Sequence, residues 1–333
     1  MQNVTLNRST RTASFRSFGV APEVSDLSPF AFQKAIGLDW EVEKEGLTFG
    51  MLETAGLEDL RAVVRQDNRK ALGVVGKDYA PVQNGELFQF FADMAEFDLG
   101  VKFVAGGALG RGETVWALAR VPSMRHVLNG NDILDTFVGV SNGHGGNATL
   151  KVDIYTFRKI CANGMLVLTR TKKGETVIGN GWNLKHTTGI SDRFAQAQTV
   201  LRCIAADHAA TMEAAERLAA IPATFETVEA IAAHVWGPVP AAKEGKNANK
   251  GRTIALNRLD DLRAIWNSPT SKGIGTEGTL WTAVNAVTEW AEHESIVRAG
   301  NYTQEESRFL GNYLGGSAST FKEEAYSFAL SMI

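Results

Sequence analysis

A strand-like segment, residues 149–160, carries basic and aromatic side chains at alternating positions. Alternate residues of a strand share a face, so Lys151, Tyr155, Phe157 and Lys159 would lie together, opposite an apolar face. Lysines neutralise phosphates and aromatic rings stack on bases, so this face predicts contact with single-stranded DNA. The alternative is a sheet covered by helices on both faces, with the rings in the core. Arg158 falls on the apolar face and therefore requires a β-bulge or a buried ion pair.

More basic and aromatic residues surround this segment. They are Arg111 in a glycine-rich turn, Arg170, Lys172 and Lys173 after a strand-like run, and Trp182 and Lys185 further along. These side chains are candidates for tracking a phosphate backbone. The alternative is a series of solvated turns, which is common for short basic runs.

The charge is unevenly distributed along the chain, although the net charge is only −3. Residues 1–20 hold three arginines and no acid, and residues 21–100 hold seven basic and fifteen acidic residues. Residues 101–186 hold eleven basic and five acidic residues, and the remainder holds thirteen and seventeen. A basic middle between acidic parts points to a polyanionic partner.

Several side chains have a type that suits catalysis, but their spacing is not diagnostic. Glu113, Asp132, Asp135 and Asp153 are the types that hold two metal ions in a nuclease. His144 lies among three glycines whose amides would suit an anion, and the alternative is a structural turn. We therefore expect no catalytic residue, no metal and no cofactor, and predict a protein that is not an enzyme.

The cysteine content and the hydropathy pattern suggest a reducing compartment. The chain has two cysteines, Cys161 and Cys203, which cannot form a disulfide framework or a four-cysteine zinc site. We expect both to be free thiols. No apolar run approaches the roughly 20 residues of a membrane span, and the N-terminus lacks the apolar core of a secretory signal. These features predict a cytoplasmic protein without a membrane partner.

The elements that would position these residues change in type along the chain. Residues 101–186 contain short β-branched and aromatic runs between glycine-rich turns, which predict an antiparallel sheet. An apolar stripe from Phe194 to Leu218 then predicts a long helix of roughly 42 Å, and further helices follow to residue 330. We predict an α+β fold with an antiparallel β-sheet core, a long helix and a helical C-terminal region.

We predict three regions from these patterns. Residues 1–25 would form a mobile basic arm, residues 26–221 an α+β core, and residues 222–333 a helical region with a flexible loop at 238–252. The apolar stripe is longer than a small sheet usually covers. It therefore predicts a homo-oligomer, with a monomer whose stripe packs internally as the alternative.

Five strings, taken in order, resemble a phage- and plasmid-associated family named for domain of unknown function 932. They are VVGKDYAPVQN at 74–84, GETVWALARVP at 112–122, SNGHGGN at 141–147, RKICAN at 158–163 and GTLWTAVNAVTEW at 278–290. The resemblance covers about residues 30–330, and the layout is also similar to that of phage single-strand annealing proteins.

This resemblance implies a role in the DNA metabolism of mobile elements, in the cytoplasm of a bacterial host. The family name supplies no activity. Together with the basic and aromatic strand face, the resemblance leads us to expect single-stranded DNA binding in recombination, with strand annealing as a finer expectation, single-stranded DNA and further copies of the chain as partners, and no cofactor. The alternatives are a metal-dependent nuclease or another nucleic-acid enzyme, and a non-enzymatic phage assembly protein.

Overall fold

The computed structural model describes twelve ranges of the chain: 27–47, 57–96, 100–146, 150–159, 163–165, 169–172, 175–178, 182–184, 208–244, 249–298, 302–314 and 316–333. For residues 95–96 and for the short strands between 163 and 184, it describes the backbone alone. The predicted basic arm, both cysteines, Lys173 and Lys185 lie outside these ranges.

The described chain is α+β, as the sequence predicts. Its strands are β1 (Val42–Gly46), β2 (Leu60–Arg65), β3 (Ala71–Gly76), β4 (Lys102–Leu109), β5 (Thr114–Arg120), β6 (His126–Leu128), β7 (Asp132–Gly143), β8 (Leu150–Arg158), β9 (Asn163–Met165), β10 (Thr169–Lys172), β11 (Glu175–Ile178) and β12 (Trp182–Leu184). Its helices are α1 (Pro29–Ala35), α2 (Asn84–Glu96), α3 (208–220), α4 (Phe225–Trp236), α5 (Lys250–Trp266), α6 (Leu280–Glu289), α7 (Gln304–Tyr313) and α8 (Ser317–Leu330). A π-helical turn, Trp290–Glu294, extends α6.

The main sheet is antiparallel and has the strand order β12–β8–β7–β5–β4, with β6 paired to β7 and β9 to β8. Its hairpins form where the sequence predicts turns. Asn129 and Gly130 join β6 to β7 with φ of 43° and 89°. Both values are positive, as a tight hairpin turn of this kind requires. Strands β10 and β11 form a separate two-stranded sheet, and β1, β2 and β3 form a three-stranded sheet.

Helices α1 and α2 cover one face of the main sheet. Phe32 of α1 stacks on Phe103 of β4 with ring centroids 4.3 Å apart, and Phe91 of α2 meets the same ring edge-on. Val152 and Ile154 of β8 belong to the same core. The apolar face predicted for β8 is therefore confirmed, and it lies under these two helices.

The three-stranded sheet reaches this core through a close backbone contact. A Cβ atom at Gly73 of β3 would lie 2.5 Å from Gly145 Cα and 2.7 Å from the Gly145 carbonyl oxygen. Only glycine permits this approach, because backbone atoms cannot move aside as the end of a side chain can. The glycine-rich loop after β7 is thereby held against β3.

The C-terminal helices form a second core and also cover the other face of the main sheet. Trp281 of α6 lies in the second core, together with Leu218 of α3. Phe309 and Tyr313 of α7 pack instead on the main sheet, where Trp116 is one of their neighbours. The helical region and the sheet therefore share packing across the predicted boundary at residue 221.

Most predicted elements agree with the structure, and the differences concern the ends of some elements and one complete strand. Helix α5 begins at Lys250, so residues 250–252 of the predicted 238–252 loop are helical. Helix α6 ends at Glu289, and the π-helical turn continues it to residue 294. Strand β2 was not predicted, because its apolar residues are contiguous and show no alternation.

Candidate functional site

The face of β8 that was predicted to bind single strands is covered. Tyr155 is 3% exposed and Phe157 is 5% exposed. The Tyr155 and Tyr313 rings meet edge-on at 5.6 Å between centroids, and the Phe157 and Tyr313 centroids are 5.8 Å apart. The expectation that these rings stack on bases is therefore wrong for the described structure, and the alternative of a sheet covered on both faces is correct.

Lys151 is also withdrawn from solvent. It is 9% exposed, and its Nζ lies 3.0 Å from Asp153 Oδ2 on the same strand face. The Tyr155 hydroxyl lies 3.1 Å from the same oxygen and 2.8 Å from the Tyr313 carbonyl oxygen. Burial, and secondarily the Asp153 charge, raises the pKa of Tyr155 well above its ordinary value of 10.0. Lys151 thus neutralises a buried carboxylate and is not displayed for a phosphate.

A second buried charge pair supports the helices that cover this face. Lys322 Nζ of α8 lies 3.2 Å from Glu292 Oε2, and the Tyr313 hydroxyl donates to the other oxygen of the same carboxylate. Burial lowers the pKa of Lys322, although Glu292 opposes the shift. Such a pair fixes geometry because neither charge can be left alone in the interior.

Arg158 forms a buried ion pair, which is one of the two arrangements expected from its position on the apolar face. Its Nε lies 2.8 Å from both oxygens of Asp132, and neither side chain is exposed. Asp132 also accepts from Thr276 Oγ1 at 3.0 Å and from Trp281 Nε1 at 2.9 Å. Arg158 further donates to the Thr270 carbonyl oxygen at 3.0 Å. The pair therefore joins the sheet to the helical region and is structural.

The remaining predicted DNA-binding residues do not form one surface in the described part of the chain. Lys159 is exposed at the end of β8. Arg111 is exposed in the β4–β5 turn and pairs with Glu113, with Nε and Oε1 2.6 Å apart. Arg170 and Lys172 lie on β10 and Trp182 lies on β12, where the backbone alone is described. Lys173 and Lys185 lie outside the described residues.

The four carboxylates considered for a nuclease are dispersed into separate pairs. Asp135 accepts from Arg125 Nε at 2.7 Å, and Asp132, Asp153 and Glu113 have the partners given above. Within the described ranges, no group of three or more His, Cys, Asp or Glu residues is arranged to hold a metal ion.

His144 is a buried structural residue. It is 0% exposed, and its Nε2 lies 2.9 Å from Asn84 Oδ1 at the start of α2. Its backbone N–H donates to the Glu113 carbonyl oxygen at 2.8 Å, and its ring packs on Trp40. These contacts form the predicted structural turn. They leave the His144 side chain inaccessible to a dissolved anion.

A cleft of about 570 Å³ opens between residues 295–298, α7 and the first turn of α8. Its walls include Arg298, Arg308, Leu310 and Phe321. This cleft was not predicted, because its residues come from three segments that no local sequence pattern links. The pairing of charged and apolar residues becomes visible only when these segments are packed together.

Comparisons with known proteins give a family and no activity. None of the described helices is long and apolar enough to cross a membrane. No curated protein and no solved structure matches the chain. The family model for domain of unknown function DUF932 matches residues 71–310, which is most of the chain. The chain therefore belongs to the DUF932 family.

Proposed function

We propose that this protein binds single-stranded DNA through the basic stretch that follows β8, and not through the covered sheet face. Residues 159–185 contain five basic residues and one acidic residue. The basic residues are Lys159, Arg170, Lys172, Lys173 and Lys185. This surplus carries the proposal, because phosphate neutralisation supplies most of the affinity for DNA that does not depend on sequence.

The backbone of the β10–β11 hairpin supports this assignment. Its register pairs Arg170 with Val177 and Lys172 with Glu175, so Lys173 and Gly174 alone separate the strands in sequence. The hairpin belongs to no larger sheet among the described residues. The basic side chains and backbone N–H groups of such a hairpin are the kinds of groups that contact phosphate oxygens.

We propose that this DNA binding serves recombination in a phage or plasmid. Strand annealing is the more specific activity proposed, and no catalytic role is proposed. Annealing requires adjacent subunits that hold one strand together, because several weak contacts act multivalently. Two residues in the described part of the apolar stripe, Ala215 and Leu218, pack in the chain's own core. The proposal of self-association therefore depends on the multivalent contacts that annealing requires. Light scattering with and without a long single strand measures self-association.

Fluorescence anisotropy with labelled single- and double-stranded oligonucleotides across a salt series tests the DNA-binding proposal. We expect Arg170→Glu with Lys172→Glu to weaken single-strand binding. The slope of log affinity against log salt should become shallower by about 0.7 for each phosphate that the variant no longer neutralises. The matched control is Arg217→Glu with Lys272→Glu, which makes the same charge change at exposed positions outside the stretch. Binding by the hairpin variant equal to that of the parent, or no binding by the parent at low salt, would refute the proposal.

A further inference from the structure

We propose that Lys250 and Arg258, on one face of α5, form a second surface that contacts the phosphates of a single DNA strand. The inference extends the proposed DNA binding to another part of the molecule, and it rests on that proposal for the identity of the ligand. The α5 surface lies far from the β10–β11 hairpin in sequence, so variants of the two sites can be compared separately.

Two tryptophan rings position the Arg258 guanidinium. Its Cζ lies 4.5 Å from the centroid of the Trp236 ring and 5.0 Å from that of the Trp290 ring. The two rings are 4.9 Å apart between centroids and are inclined at 67°. Trp290 Nε1 donates to Asp261 Oδ2 at 3.0 Å, which fixes the second indole. A guanidinium beside aromatic faces is attracted by the ring quadrupoles, so these contacts hold the cation in place.

Arg258 lacks a counter-ion within the described part of the chain. The side chain is half-buried, and its Nε is enclosed without a hydrogen-bond partner. Burial lowers the pKa of Arg258 below its ordinary value of 12.5, and no described carboxylate acts against this shift. A cation that has lost part of its hydration without gaining a counter-ion is unfavourable. A bound phosphate would supply the missing acceptors and the missing charge.

The first turns of α5 add positive charge without an acid. Residues 250–259 contain Lys250, Arg252 and Arg258 and neither Asp nor Glu. Arg252 donates from Nη1 to the Pro240 carbonyl oxygen at 2.8 Å and is therefore partly engaged. Lys250 is exposed and lies two turns before Arg258, roughly 12 Å along the helix axis. A few nucleotides of one strand span this distance, since a stacked strand rises about 3.4 Å per nucleotide.

An exposed apolar side chain lies between these two cations. Ile254 is 51% exposed and stands four residues from both Lys250 and Arg258, so the three side chains follow one helix face. Together with the partly exposed Trp236 ring, it offers an apolar contact to an unpaired base. An acidic polypeptide has no ring on its carboxylates to use this contact, and a duplex keeps its bases paired. The combination therefore favours a single strand.

Fluorescence anisotropy of the full chain with labelled oligothymidylate and with a duplex of equal length, across a salt series, tests the assignment. We expect Lys250→Glu with Arg258→Gln to weaken single-strand binding by roughly 10- to 100-fold, because hydrogen bonds to charged groups are lost. The slope of log affinity against log salt should become shallower by about 1.4, or about 0.7 for each of two phosphates. The matched control is Lys272→Glu with Arg217→Gln, which makes the same charge change at exposed positions outside α5.

Lys250→Glu alone separates binding from folding. Lys250 is exposed, and a glutamate in the first turn is compatible with the helix dipole. We expect this variant to keep the circular dichroism spectrum and urea midpoint of the parent and to show a salt slope shallower by about 0.7. Single-strand binding by the double variant equal to that of the parent would overturn the inference, as would equal losses in the double variant and its control.

The hairpin variant and the α5 variant together distinguish this inference from the proposed function. If only the hairpin variant loses affinity, the proposed function stands and this inference fails. If only the α5 variant loses affinity, the strand binds at α5 and the hairpin assignment fails. Tighter binding of polyglutamate than of an oligonucleotide with the same number of charges would assign the surface to acidic proteins and overturn the inference. No binding of DNA by the parent at low salt would refute both.

Discussion

Replacing Arg158 with methionine should destabilise the protein strongly, because it leaves the buried Asp132 carboxylate without its cation. Both side chains are 0% exposed, and Nε lies 2.8 Å from the carboxylate oxygens. Thr276 Oγ1 and Trp281 Nε1 would still donate to Asp132 at 3.0 and 2.9 Å, but neither carries a charge. Breaking a buried pair on one side costs about 3–5 kcal/mol. Urea unfolding followed by circular dichroism measures this loss.

The double variant decides whether the loss comes from the pair. Asp132→Asn keeps an oxygen that accepts from Thr276 and Trp281 and removes the charge. The double variant with Asp132→Asn and Arg158→Met should therefore be destabilised less than Arg158→Met alone. The expected coupling energy between the two changes is about 2–3 kcal/mol. The control is Arg125→Met, which breaks the pair between the exposed Arg125 and the partly buried Asp135 and should cost about 1 kcal/mol or less. Additive single effects, or an equal loss at Arg125, would refute the reasoning.

Two further predictions concern folding stability. Gly73→Ala should lower the free energy of unfolding by more than about 2 kcal/mol, because the new Cβ would lie 2.5 Å from Gly145 Cα. The control is Gly76→Ala, whose Cβ meets nothing within 4 Å and which should be near neutral in the same urea assay. Burial, and secondarily the charge of His126, holds the pKa of His208 below its ordinary value of 6.5. The contribution of His208 to stability is therefore present above pH 6.5 and is lost as the pH falls through its lower pKa in the folded protein. His208→Gln should therefore show a smaller fall in unfolding free energy between about pH 7 and pH 5, and a fall equal to that of the parent would contradict this assignment.

Local sequence chemistry was sufficient for much of the secondary structure. Ser28 accepts from the Ala31 amide at the start of α1, and Thr224 precedes α4, as the capping rules predict. Asn129 and Gly130 adopt positive φ because their short or absent side chains tolerate it. The alternation in residues 150–157 correctly divided β8 into two faces, since the period of a strand is fixed by its backbone. Each of these features depends on neighbours a few residues away.

The sequence also indicated that Arg158 needed either a β-bulge or a buried ion pair, but it could not identify the partner. Asp132 lies 26 residues earlier, and Thr276 and Trp281 lie more than a hundred residues later. No periodicity connects positions that are so far apart. The same separation hides the cleft, which takes Arg298 from one segment, Asn312 from α7 and Ser317 from α8.

Composition and local pattern were enough to establish the α+β class, the two faces of β8 and the surplus of positive charge between residues 159 and 185. Whether either of those faces meets solvent depended on the packing of distant segments. Lys151, Tyr155 and Phe157 have the composition of an open binding face, but α7 covers the rings and Asp153 neutralises the lysine. Burial depends on what packs above a surface. Here that cover is a helix about 150 residues further along, a separation over which local propensity carries no information.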